Sequence, residues 1–116
     1  MEYEKPLVDK EIIKSLLYGD GDYMQEFIKV SIVSFTEFKD NFSLHFLSRD
    51  VSKLRATGHK VKPVAQMMNL FGLLELYEEA KLILEAEKEQ AVINHHAEKM
   101  DHYCLELISE LEAMVE

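Results

Sequence analysis

Two apolar stripes of helical period dominate this chain. Met24, Ile28, Ser31, Phe35, Phe38 and Phe42 follow one another at steps of 4, 3, 4, 3 and 4. Ile93, Ala97, Met100, Cys104, Leu107, Leu111 and Met114 do the same at 4, 3, 4, 3, 4 and 3. Alternating steps of three and four keep every member on one side of an α-helix, whereas a half-buried strand needs steps of two. A helix with such a stripe must bury it against other helices or a sheet. With four glycines and two prolines in 116 residues, the chain has too few turn formers for a sheet of many short strands.

Shorter amphipathic segments supply the partners. Residues 8–18 read as a short helix with Asp9 as N-cap and Ile12, Ile13, Leu16 and Leu17 as its apolar face. Gly19-Asp20-Gly21-Asp22 breaks it, and Asp20 or Asp22 can cap the next helix. Ser48 or Asp50 can cap a third helix, with Val51, Leu54, Val61, Ala65 and Met68 facing inward. Leu70, Leu73, Tyr77, Ala80 and Leu84 mark a fourth, and the pattern lapses around Glu87–Gln90 before the last stripe. Short connections place consecutive helices antiparallel. The expectation is one all-α domain over residues 1–116, an up-down-up-down four-helix bundle with a short extra N-terminal helix. Cys104 falls on a stripe and reads as a buried, inert thiol.

Charge narrows the choice of partner. The net charge of −9 disfavours nucleic acid or an anionic membrane. No apolar run reaches the roughly 18 residues of a membrane span, and Met-Glu-Tyr-Glu-Lys-Pro does not open like a secretory signal. A cytoplasmic monomer is expected. The charge is uneven, however. Residues 85–116 carry nine acids against Lys88 and Lys99, a net of −7, while residues 49–62 carry Arg49, Lys53, Arg55, Lys60 and Lys62 against Asp50 alone, a net of +4. Such a basic island attracts an acidic partner surface.

Metal and cofactor chemistry finds little support. A carboxylate-bridged di-iron bundle needs Glu-x-x-His pairs, and the residues three before the five histidines are Phe42, Ala56, Val92, Ile93 and Lys99. His95 and His102, seven apart, make a weak pair by themselves. No haem-attachment motif, phosphate loop or nucleophile elbow occurs. No metal or cofactor is expected, and no enzyme with a nucleotide site of its own.

His59 stands out because it lies off the apolar stripe of its helix. Arg55 four residues before it and Lys62 three after it share its face, since residues at those spacings are helical neighbours. Positive charge on both sides disfavours the imidazolium form, leaving a nucleophilic nitrogen. The same cations would stabilise phosphoryl charge on arrival.

At His59-Lys60-Val61-Lys62 the chain resembles the histidine-containing phosphotransfer (HPt) domains, whose signature helix carries His-x-(apolar)-Lys-(small). Asn69 stands where that helix usually ends in glycine, followed by Leu70, Leu73 and Leu76, and Gly-Asp-x-Asp-Tyr-Met-x-Glu-Phe at 19–27 is similar to the family's opening of the second helix. The resemblance implies a phosphorelay intermediate. His59 is then the phosphoacceptor and Lys62 the phosphate-stabilising cation, and Arg55, Gly58, Lys60 and Pro63 meet the partner, with small Gly58 and Ala56 leaving an approach to the imidazole. The implied partners are response-regulator receiver domains and a hybrid sensor histidine kinase, with Mg²⁺ belonging to the receiver. Pro63 departs from the family's glycine. Proline within a helix removes one hydrogen bond and costs about 3 kcal/mol, so a local bend at the site is expected and the room left by glycine is lost. The competing expectation is a non-phosphorylated helical module that binds an acidic partner.

Overall fold

The computed structural model describes residues 6–17 and 20–116. Among these the chain is all-α, with α1 (Lys10–Leu16), α2 (Gly21–Leu47), α3 (Val51–Met67), α4 (Phe71–Glu85) and α5 (Gln90–Ala113). α2 packs on α3 and α5, and α4 packs on the same two, so the four long helices close a cycle. The expected stripes form the interior. Phe35, Phe42 and Phe46 of α2 are shielded from solvent, as are Leu73 and Ala80 of α4 and Ile93, Met100, Cys104, Leu107 and Leu111 of α5. Phe38, Phe42 and Phe46 stack along α2 with ring centroids 5.7 and 5.2 Å apart. Burying aromatic side chains in this way supplies roughly 1.5–3 kcal/mol each.

The caps decide between the alternatives that the sequence left open. Asp9, Asp20 and Asp50 are the N-caps of α1, α2 and α3, each accepting a hydrogen bond from a backbone N–H of the first turn. Ser48 instead closes α2, its hydroxyl donating to the carbonyl of Leu44 at 2.8 Å. α2, α3 and α4 all end in the same way. Arg49, Asn69 and Glu87 adopt positive φ of 60°, 55° and 51°. In each case the next N–H reaches back five residues, as in Asp50 to His45, Leu70 to Ala65 and Lys88 to Ile83. These are Schellman closures, which satisfy the last carbonyls and turn the chain within a few residues. Asn69 thus takes the left-handed conformation that the sequence pattern asked of it. Arg49 then donates to the carbonyl of Lys88 at 2.7 Å, tying the α2–α3 connection to the α4–α5 connection.

Several boundaries move. α1 is shorter than residues 8–18, with Leu16 at its surface and residue 18 outside the described residues, as is Gly19 of the expected break. Val51, read as inward-facing, is exposed because it is the first residue of α3, before the helix has turned onto the core. α2 runs 27 residues, beyond the apolar stripe at its C-terminal end, because Phe46 continues the burial one turn past Phe42. The other end of the molecule is closed by side chains. Glu110 accepts from the backbone N–H groups of Leu7 and Val8 at 2.9 and 2.8 Å, and Gln25 bonds the carbonyl of Met114 and the N–H of Glu116. No described helix is long and apolar enough to cross a membrane.

Candidate functional site

α3 divides into faces as its sequence dictates. Leu54, Val61 and Ala65 enter the core, while Arg55, His59, Lys60 and Pro63 are exposed and Lys62 is half-buried. His59, midway along α3, makes no hydrogen bond or ion pair among the described residues. α3 passes through Pro63 without a break, as the buried faces on either side of it require. Pro63 has no N–H for the carbonyl of His59, so that carbonyl loses its usual helical donor.

The basic island is less bare than its sequence suggests. Arg55 Nη2 lies 3.4 Å from Glu85 Oε1, and Lys62 Nζ lies 3.7 Å from Glu78 Oε1, both carboxylates belonging to α4. Lys53 lies 4.0 Å from Asp50, and Arg49 is spent on the carbonyl of Lys88. Lys60 alone of the five cations has no such partner among the described residues. It turns the other way, toward α2, where it lines a cleft with Glu37, Asn41 and Thr57. The pairs are exposed, so each stabilises the fold by no more than about 1 kcal/mol. Their effect is on charge: the cations beside His59 are met by carboxylates of the next helix.

Glu78 is shared. Its Oε2 lies 2.9 Å from Lys81 Nζ, and Lys81 sits 5.0 Å above the ring of Tyr77. The hydrogen bond from Lys81, reinforced by the charges of Lys81 and Lys62, holds the Glu78 carboxyl below the usual carboxylate range. Tyr77 lies beneath the site, its hydroxyl donating to the carbonyl of Arg55 at 3.5 Å. Burial pushes the Tyr77 phenol up, against the pull of Lys81.

Gly58 is not on the exposed face, which corrects its placement as a partner contact. It is buried, and a Cβ at this position would collide with the ring of Tyr77. Its smallness lets α4 approach α3, with the Tyr77 ring filling the space beside it. Ala56, by contrast, is exposed. Sequence reasoning missed Tyr77, Glu78 and Glu85 as neighbours of the site. The signal was available: Glu78 and Glu85 are seven apart, as are Arg55 and Lys62, so two helices in register can pair both sets.

The other histidines divide in two. His96 is buried against Phe46, edge to ring at 5.6 Å, and its Nε2–H donates to the carbonyl of Leu76 at 2.7 Å. His95 and His102 border a groove between α4 and α5 with Glu75, Glu79 and Glu98. No group of three or more potential ligands among the described residues is placed to hold a metal ion. Cys104 is buried, and desolvation, with Asp101 adding to it, pushes its thiol up to about 12, so the reactive thiolate is absent at neutral pH. α4 exposes Phe71 and Leu82, at 60% and 63%, along a shallow groove that Glu78 also lines. Comparison with protein-family models, curated proteins and solved structures gives no match.

Proposed function

We propose that this chain is a phosphorelay intermediate, an up-down-up-down four-helix bundle that carries a phosphoryl group on His59. The antiparallel arrangement is supported by the α3–α4 ion pairs: as the residue on α3 rises from Arg55 to Lys62, its partner on α4 falls from Glu85 to Glu78. The observation that carries the functional reading is an exposed, unpartnered histidine at mid-helix beside a lysine one turn on. The donor is the aspartyl phosphate of a response-regulator receiver domain, itself phosphorylated through a hybrid sensor histidine kinase. The Nε2 lone pair of His59 attacks phosphorus, the P–O bond to the aspartate breaks, and its electron pair leaves on the carboxylate. Passage to a second receiver reverses these roles. Such transfer needs positioning and charge rather than covalent machinery of the carrier's own. Lys62, and secondarily Arg55, meet the phosphoryl oxygens, and Phe71 and Leu82 give a docked partner apolar area to bury.

The test is incubation with a phosphorylated receiver domain, followed by assay of the protein for acid-labile, base-stable phosphate. Label is expected on the native chain and absent from His59→Gln. A native chain that takes no label from any phosphorylated receiver offered, yet binds an acidic partner through α3, is the non-phosphorylated interaction module instead.

A further inference from the structure

Lys62 is the cation best placed by sequence to serve His59, yet its ammonium is engaged elsewhere. It lies 3.7 Å from Glu78 of α4, on the side of α3 that faces that helix. Glu78 does not depend on Lys62 for its own neutralisation, because Lys81 holds its other oxygen at 2.9 Å. The two bonds are unequal, and the longer one goes to the residue beside His59. When Lys62 departs, Glu78 keeps a partner.

We propose that Glu78 is a positioning residue that parks Lys62 on α4, and that a phosphoryl group on His59 draws Lys62 across to itself while Lys81 retains Glu78. This rests on the phosphoacceptor reading of His59. A phosphoryl group carries more negative charge than a carboxylate and offers three acceptor oxygens. Lys62 has a flexible four-carbon stem and three rotatable donors, which suits it to exchange between acceptors. The exchange leaves no charge stranded: Lys62 moves from one anion to another, and Glu78 and Lys81 remain paired. Glu78 therefore opposes the gain of phosphate by competing for the cation that stabilises it.

The experiment uses the whole chain and phosphoramidate as a small-molecule phosphoryl donor, which removes partner docking from the result. Nε2 attacks phosphorus, the P–N bond breaks, and ammonia leaves with the electron pair. Glu78→Gln keeps the shape of the side chain and removes its charge. It is expected to take up label about threefold faster than wild type at low salt, the scale of one exposed ion pair, with the gain shrinking as salt screens it. In a Lys62→Ala background the gain is expected to vanish. Equal rates for wild type and Glu78→Gln would overturn the proposal, and so would a gain that survives in Lys62→Ala, since the carboxylate would then act on the phosphate directly. Failure of the parent reading looks different: wild type takes no label at all, and both readings fall. A second measurement needs no phosphate. NMR of the Lys62 ε-methylene is expected to shift as pH falls through the lowered titration range of Glu78, and to lose that shift in Glu78→Gln. A Lys62 signal indifferent to Glu78 would overturn the parking contact itself.

Discussion

His59 and His96 both sit within helices and have opposite surroundings. His96 lies with Ile93, Ala97 and Met100 on the buried side of α5, wedged against Phe46, with its Nε2–H committed to the carbonyl of Leu76. His59 lies opposite the buried side of α3, without a partner among the described residues. The contrast follows from position relative to the apolar stripe. A polar group carried into the core must be given a hydrogen bond or it costs several kcal/mol, so His96 is fixed by its neighbours. A group on the outer face has no such obligation, and its nitrogens stay available. The fold holds His96 in place and leaves His59 exposed.

The largest effect expected from this comparison is on stability at His96. His96→Ala removes a buried ring and leaves a cavity between α2, α4 and α5, a change that costs about 3 kcal/mol. A fall in the urea midpoint of corresponding size, with the slope unchanged, checks it. A loss below about 1 kcal/mol would mean that the interior closes around the missing ring, and that His96 is not the fixed point described above.

Gly58 extends the comparison across α3, from its inner side to its outer one. Gly58→Ala favours the helix by nearly 1 kcal/mol through propensity, but its methyl group enters the space of the Tyr77 ring. Overpacking of this kind costs about 1–3 kcal/mol, so a net loss is expected, smaller than that of His96→Ala. Tyr77→Leu in the same chain should recover part of it, because the two positions share one space. If Gly58→Ala is as stable as wild type and the double variant shows simple additivity, α3 and α4 do not meet as closely as the ring contact implies.

Much of this was legible in the sequence, and the rest was not, for a physical reason. The stripes of α2, α4 and α5 could be read because burial imposes a period on a single helix. The left-handed turn at Asn69 could be read because few side chains tolerate it. Arg49 and Glu87 adopt the same turn with side chains that give no such warning. His59 was legible by standing off its stripe. Gly58 was misassigned because smallness serves an open approach and a close helix contact equally well, and only the position of Tyr77 distinguishes them. The carboxylates facing Arg55 and Lys62 lie on another helix, and pairing between helices depends on register, which no single helix's period contains. His96 had a faint signal, since residues 93, 96, 97, 100, 103, 104, 107 and 111 widen the a/d stripe by one position at 96 and again at 103.

The smallest expected effect on stability belongs to His59→Gln, and its smallness is what sharpens the contrast with His96. The side chain is exposed and makes no contact that folding would lose, so the unfolding free energy should stay within about 0.5 kcal/mol of wild type. Glutamine is at least as good a helix former as histidine, so helical content by circular dichroism should not fall. Phosphate uptake, by contrast, should disappear, because glutamine has no nucleophilic ring nitrogen. Two measurements on one variant therefore separate a residue kept for the fold from one kept for chemistry. A loss of stability approaching that of His96→Ala would place His59 among the residues that the fold requires. Unchanged stability together with undiminished label would move the phosphoacceptor to another side chain, and His95, exposed at the rim of the α4–α5 groove, would be the next histidine to replace.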